Sequence, residues 1–138
     1  MEKRFYLDTS IWRDYFEDRS DGIRPLGEFA FQFLKKCLKE KYSVLVSDKV
    51  EKELLRYYSR EKVNAVFSNF KEIIIKIKPT RKQVAEAGNI WIKNNKEFPL
   101  NDILHAIIAR DANAILVSRD FHFRALEISE CRLPEEID

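Results

Sequence analysis

Short apolar runs alternate with amphipathic stretches along this chain. Residues 5–7, 43–46, 73–77 and 115–117 are rich in aliphatic and aromatic side chains and too short for helices, so they read as strands. Between them the apolar spacing changes to the helical period. Thr9 or Ser10 caps a helix that runs through Tyr15 and Phe16, residues 18–25 with Gly22 form a loop, and residues 26–40 are helical with Phe29, Phe33 and Leu34 on one face. Ser47 or Asp48 caps the next helix, which the pattern carries to about Tyr58, and residues 61–70 form another. Thr80 followed by Gln83 is a capping-box signature for a helix bearing Val84, Ala87 and Trp91, and Phe98-Pro99 interrupts the pattern. A helix over residues 101–111 leads to the fourth strand. A short helix over residues 123–126 and an edge strand over residues 131–133 complete the expected elements.

Strands that are apolar on both faces and separated by helices belong in a buried parallel sheet. The expected fold is therefore α/β: a three-layer α/β/α arrangement around a central parallel sheet of four to five strands. With 138 residues and 45% apolar content, the chain can bury about 70% of its unfolded surface in one core. No repeat, low-complexity stretch or linker divides it, so residues 1–138 read as a single domain.

Composition narrows the function classes. No apolar run reaches the ~18 residues that span a bilayer, and Met1-Glu2-Lys3-Arg4 leads directly into a strand without a secretory apolar region; the expectation is a cytoplasmic protein with no membrane partner. Cys37 and Cys131 stand far apart without zinc-ligand spacing and read as reduced, partly buried thiols. A net charge of +2 argues against a strongly basic nucleic-acid coat, but setting aside the acids assigned below leaves a more basic remainder suited to a polyanion.

Those acids are Asp8, Glu53, Asp102 and Asp120. Asp8 and Asp120 each follow an apolar strand, and ligands of open α/β sheets gather at the carboxyl ends of the strands. Carboxylates brought together there repel unless a cation lies between them, and clustered oxygens suit Mg²⁺ or Mn²⁺. Asp8 and Asp120 are expected as direct ligands, with Asp102 and Glu53 binding directly or through metal-held water. A hydroxide attacking a phosphodiester anion needs such positive charge, whereas a covalent route would need a base beside a Ser or Cys, and the chain has only 2 His. Each acid alone also fits a plain structural role: Asp8 as a helix cap, Asp102 as a favourable charge in a first helical turn. Helical periodicity places Val50, Leu54, Tyr57 and Tyr58 on a buried stripe flanked by both Glu51 and Glu53, so spacing does not choose between these two.

The segments Tyr6-Leu7-Asp8-Thr9-Ser10, residues 47–54, residues 101–109 from Asn101 to Ala109, and residues 117–123 from Val117 to Phe123 together resemble the PIN-domain family over nearly the whole chain. The resemblance selects Glu53 over Glu51, as the acid directly before Leu54. It implies a parallel sheet flanked by helices, a Mg²⁺ or Mn²⁺ site, and cleavage of RNA phosphodiesters. Small stand-alone members are often toxins of toxin–antitoxin pairs of the VapC type, so an antitoxin protein becomes a candidate partner. Many relatives carry a further acid two residues after the position of Asp120, where this chain has His122; that departure leaves the occupancy or identity of a second metal open.

Around the acids, Thr9, Ser10 and Ser118 are candidates for hydrogen bonds to waters or ligands, and equally for capping. Arg119 and His122 are candidates for substrate contact or for support of the ligands. His105 could orient Asp102 or touch substrate, although a structural His is the more ordinary reading. Ala106 and Ala109 share the face of Asp102, which lets that helix approach the sheet closely and hold Asp102 rigidly. Trp12 and Phe16, beside the loop over residues 18–25, suggest an exposed apolar patch and hence a homodimer; the resemblance to the toxin branch implies an antitoxin segment in a groove near this patch. Rival readings are a phosphatase with an aspartyl nucleophile, for which a second Asp two residues after Asp8 is missing, a non-catalytic RNA- or protein-binding module of the same fold, and an RNA-processing nuclease without an antitoxin.

Overall fold

The computed structural model describes residues 3–138. Its strands are β1 (Arg4–Leu7), β2 (Ser43–Ser47), β3 (Ile74–Ile77), β4 (Ile115–Val117) and β5 (Cys131–Arg132). They form one sheet in the order β3-β2-β1-β4-β5, and every pair is parallel. Helices α1 (Thr9–Glu17), α2 (Leu26–Glu40), α3 (Asp48–Leu54), α4 (Arg60–Ser68), α5 (Arg81–Lys93), α6 (Leu100–Asp111) and α7 (His122–Leu126) connect and flank the strands. This is the three-layer parallel architecture that the strand pattern predicts. Interior β2 is buried at every position, while β3 at the edge is only partly covered and leaves Ile75 exposed.

Several helices end where their local chemistry ends them. Ser47 accepts from the Val50 amide at the start of α3, and Thr80 with Gln83 forms the expected reciprocal box at the start of α5. Lys41 ends α2 in the left-handed conformation, its amide returning to the Cys37 carbonyl. Helix α3 stops at Leu54, short of the expected Tyr58, and continues only as turns. The stripe is shorter for the same reason: Val50 and Leu54 are buried, Tyr58 is half-buried, and Tyr57 lies on the surface with the Arg13 guanidinium over its ring.

The helix carrying Asp102 is enclosed as expected, with every residue from Ile103 to Ala109 buried. Cys37 is buried and Cys131 partly so, both as free thiols. The expected exposure of Trp12 is wrong. Trp12 is fully buried, edge-on to Phe67 and Phe70, because α1 is an amphipathic helix whose inward face carries Ile11 and Trp12. Phe16 is half-buried against Tyr58. The patch proposed as a basis for self-association is therefore absent at Trp12. Among the described residues, no helix is long and apolar enough to cross a membrane.

Candidate metal centre

The strand order places the acids. From β1 the chain moves outward through β2 to β3, then returns to add β4 on the other side of β1, and a crevice opens at the carboxyl ends where this direction reverses. Leu7 pairs with Val117, so the residues that follow each strand emerge side by side. The Asp8 amide donates to the Val117 carbonyl at 3.0 Å, and the Ser118 hydroxyl donates to Asp8 Oδ2 at 3.0 Å. Ser10 donates to the same oxygen at 2.8 Å. Asp8 occupies the capping position of α1 without making a side-chain cap bond, so helix capping does not account for this carboxylate. Burial pushes its carboxyl upward against the opposing influence of His105, Ser10 and Ser118.

Asp102 enters from the first turn of α6 and Asp120 from the loop after β4. Ser118 ties the loop together by accepting from the Asp120 amide at 3.0 Å, and Asp120 Oδ1 accepts from the His122 amide at 2.9 Å. His122 Nδ1 lies 3.3 Å from Asp120 Oδ1 and 3.7 Å from Asp102 Oδ2. One ligand atom each from Asp102, Asp120 and His122 lies within 4.8 Å of the others, the separation that a shared cation needs. Asp8 is outside this trio but within electrostatic reach. Burial, then the charges of Asp8 and Asp120, push the Asp102 carboxyl up to about 6.

Glu53 joins from the other side through a buried relay. Ser47 Oγ and His105 Nδ1 lie 2.7 Å and 2.6 Å from the Tyr6 hydroxyl, and His105 Nε2 lies 3.0 Å from Glu53 Oε1. Thr9 donates to that same oxygen at 2.6 Å. Desolvation disfavours the Glu53 charge, but the His105 and Thr9 hydrogen bonds outweigh it and hold the carboxyl below its ordinary value. His105, fully buried, thus pairs with Glu53 rather than orienting Asp102. Glu51 points to Arg60 and Lys76 instead. Arg119 lies beside the site but is directed away from the acids: it forms a fork with both Glu135 oxygens at 2.8 Å and reaches Asp14 at 3.6 Å.

Tyr6 and Ser47 are the supporting residues that sequence reasoning missed. Their signal is weak, since a Tyr in an apolar strand and a Ser before a helix have ordinary structural uses.

The family model of the PIN domain matches residues 5–128. No curated protein matches the sequence. Among solved structures, the chain is similar to VapBC2 from Rickettsia felis, bound to a DNA fragment from its promoter, with a TM-score of 0.68, 18% identity, and coverage of 94% of this chain and 98% of that one. It is also similar to VapC20 of Mycobacterium tuberculosis, a sarcin-ricin loop cleaving toxin (TM-score 0.65, 20% identity, 93% of this chain and 98% of that one). FitAcB from Neisseria gonorrhoeae gives 0.61 at 17% identity, with 96% and 99% covered. These identities speak to the fold, and the family match rests on the sequence itself: the chain belongs to the PIN-domain family.

Proposed function

We propose that this protein is a metal-dependent endoribonuclease, built as one domain and acting as the toxin of a toxin–antitoxin pair. The observation that carries this reading is the convergence of Asp102 and Asp120, from separate segments, to within the span of a shared cation, with the buried Asp8 carboxylate near enough to raise Asp102 further. Such crowding costs free energy in the absence of a cation. The donor set fits Mg²⁺ or Mn²⁺, being carboxylate oxygens with one imidazole at the edge. Asp8, Asp102 and Asp120 would hold the ion, with Glu53 binding directly or through water. When bound, the ion would lower the pKa of a coordinated water and offset charge on the scissile phosphodiester.

The remaining work belongs to the chain. Ser10 and Ser118 fix one Asp8 oxygen, the other accepting no hydrogen bond among the described residues, while Thr9 and His105 fix Glu53 and keep it ionised. The Tyr6–His105 contact holds the imidazole in one orientation. Family membership and the similarity to VapC20 and to VapBC2 support RNA as substrate and an antitoxin as partner. The homodimer expected from an exposed patch at Trp12 and Phe16 loses that basis at Trp12, which is fully buried.

Cleavage of a labelled RNA pool, with and without Mn²⁺, tests the proposal; a rate that chelation leaves unchanged would overturn it. Two further outcomes are expected by calorimetry. Glu53→Gln should weaken Mn²⁺ binding while Glu51→Gln leaves it nearly unchanged, because Glu51 is engaged by Arg60 and Lys76. His122→Ala should reduce Mn²⁺ affinity more than Mg²⁺ affinity, because an imidazole nitrogen is a better ligand for Mn²⁺ than for the harder Mg²⁺. Equal losses for the two ions would remove His122 from the donor set.

A further inference from the structure

Beside the acids lies a small cleft lined by Arg24, Ser118, Arg119, Phe121, Arg124 and Leu133. It shares Ser118 with the metal centre, where that hydroxyl donates to Asp8, so the two adjoin across this residue. Its volume is about 130 Å³. A cavity needs only ~10–15 Å³ on this measure to admit one water, so the cleft has room for a phosphate group. At its lip stands Phe121, adjacent in sequence to Asp120 and 77% exposed.

We infer that this cleft is a subsite for the nucleotide next to the scissile bond of a single-stranded RNA, with Arg24 and Arg124 holding its phosphate and Phe121 stacking its base. The inference rests on the nuclease reading above and specifies how that site grips its substrate.

The guanidiniums differ in what they can offer. Arg119 is committed to Glu135 through both terminal nitrogens and is mostly covered, so it forms the charged floor. Arg24 and Arg124 are 52% and 44% exposed and each holds an acid through a single nitrogen, Nε to Asp21 and Nη2 to Glu136. A guanidinium has five N–H donors, and solvent-exposed ion pairs are weak, so a phosphate can be bound beside these acids or in their place. An aromatic face next to cations is the arrangement that grips single strands without reading their sequence. An acidic peptide would use the cations but has no need of the ring. A strand whose scissile phosphate lies at Asp8 and Asp120 must pass one end of the centre, and Phe121 flanks it.

The test uses Asp8→Asn as the parent, which blocks cleavage, and fluorescence anisotropy with a labelled eight-nucleotide oligouridylate or the same oligomer carrying single abasic positions. Phe121→Ala is expected to weaken binding about 5- to 150-fold, the range for loss of one base–aromatic stack, and Phe121→Trp to restore it. One abasic position should reproduce the loss and be insensitive to Phe121→Ala. Arg24→Ala with Arg124→Ala should lower the slope of log affinity against log salt by about 0.7, the signature of one lost phosphate contact on a single strand. Binding within twofold of the parent in Phe121→Ala would overturn the subsite, and would leave the nuclease reading intact if wild-type protein still cuts RNA with Mn²⁺. Loss of binding to a co-expressed protein or a Glu-rich peptide, with oligonucleotide affinity unchanged, would also overturn it and assign the cleft to a protein partner. Absence of any oligonucleotide binding by the parent would overturn the subsite; absence of RNA cleavage by wild type would overturn the nuclease reading.

Discussion

Asp8→Asn and Asp120→Asn are each expected to reduce metal-dependent RNA cleavage by more than about two orders of magnitude while leaving the fold intact. Loss of a supporting partner outside the ligand set typically costs ~10–100-fold in metal affinity or activity, and direct loss of a ligand charge should exceed that. Stability should move the other way. Asp8 and Asp120 both raise the Asp102 carboxyl, so removing either charge relieves repulsion in the metal-free protein. The sign with pH follows from the raised value. The folded protein binds the Asp102 proton more tightly than the unfolded chain does, so Asp102 favours folding below its unfolded pKa of ~4 and loses that contribution as pH rises through about 6. Without metal, Asp102→Asn should therefore raise the melting midpoint at pH 7, and the gain should shrink toward pH 4. Excess Mn²⁺ should erase or reverse it, because wild type then gains binding free energy that the variant lacks. Near-wild-type cleavage by both Asp8→Asn and Asp120→Asn would remove these acids from the site.

Trp12→Ala should produce the largest change in stability. Trp12 is fully enclosed between α1 and the aromatic pair Phe67 and Phe70, and deleting so large a buried side chain costs about 3–5 kcal/mol. For a chain of this length the melting midpoint should fall by more than about 8 °C. Trp12→Phe should cost much less. The indole Nε1 has no hydrogen-bond partner among the described residues, so the smaller ring removes an unsatisfied donor along with some volume. Thermal denaturation followed by circular dichroism separates the two variants. A Trp12→Ala protein that melts within 2 °C of wild type would mean that this aromatic cluster contributes little to the fold.

How much of this was legible in the chain differs between elements. The strand positions and their parallel arrangement follow from apolar runs and intervening helical periods, because a strand buried on both faces must be apolar at consecutive positions. The Thr80–Gln83 box was legible for a similar reason: its hydrogen bonds connect residues three apart. Trp12 was misread because its neighbours in sequence, the Asp- and Gly-bearing loop, carry no information about Phe67 and Phe70, which approach it only in the folded chain.

The acids divide along the same line. Sequence by itself determined that Asp8 and Asp120 follow strands and that Asp102 opens a helix, since each placement depends on local propensity and period. Only the tertiary structure decided which side chains meet. The two glutamates of α3 lie on flanks that helical periodicity treats alike; the family resemblance selected Glu53, and in the folded chain Arg60 and Lys76 take Glu51 while Thr9 and His105 take Glu53. His105 was equally undetermined: three residues from Asp102 in sequence, it turns instead to Tyr6 and Glu53. A buried imidazole must satisfy both ring nitrogens, and the partners able to do so stand on β1 and α3, brought to α6 by the parallel sheet.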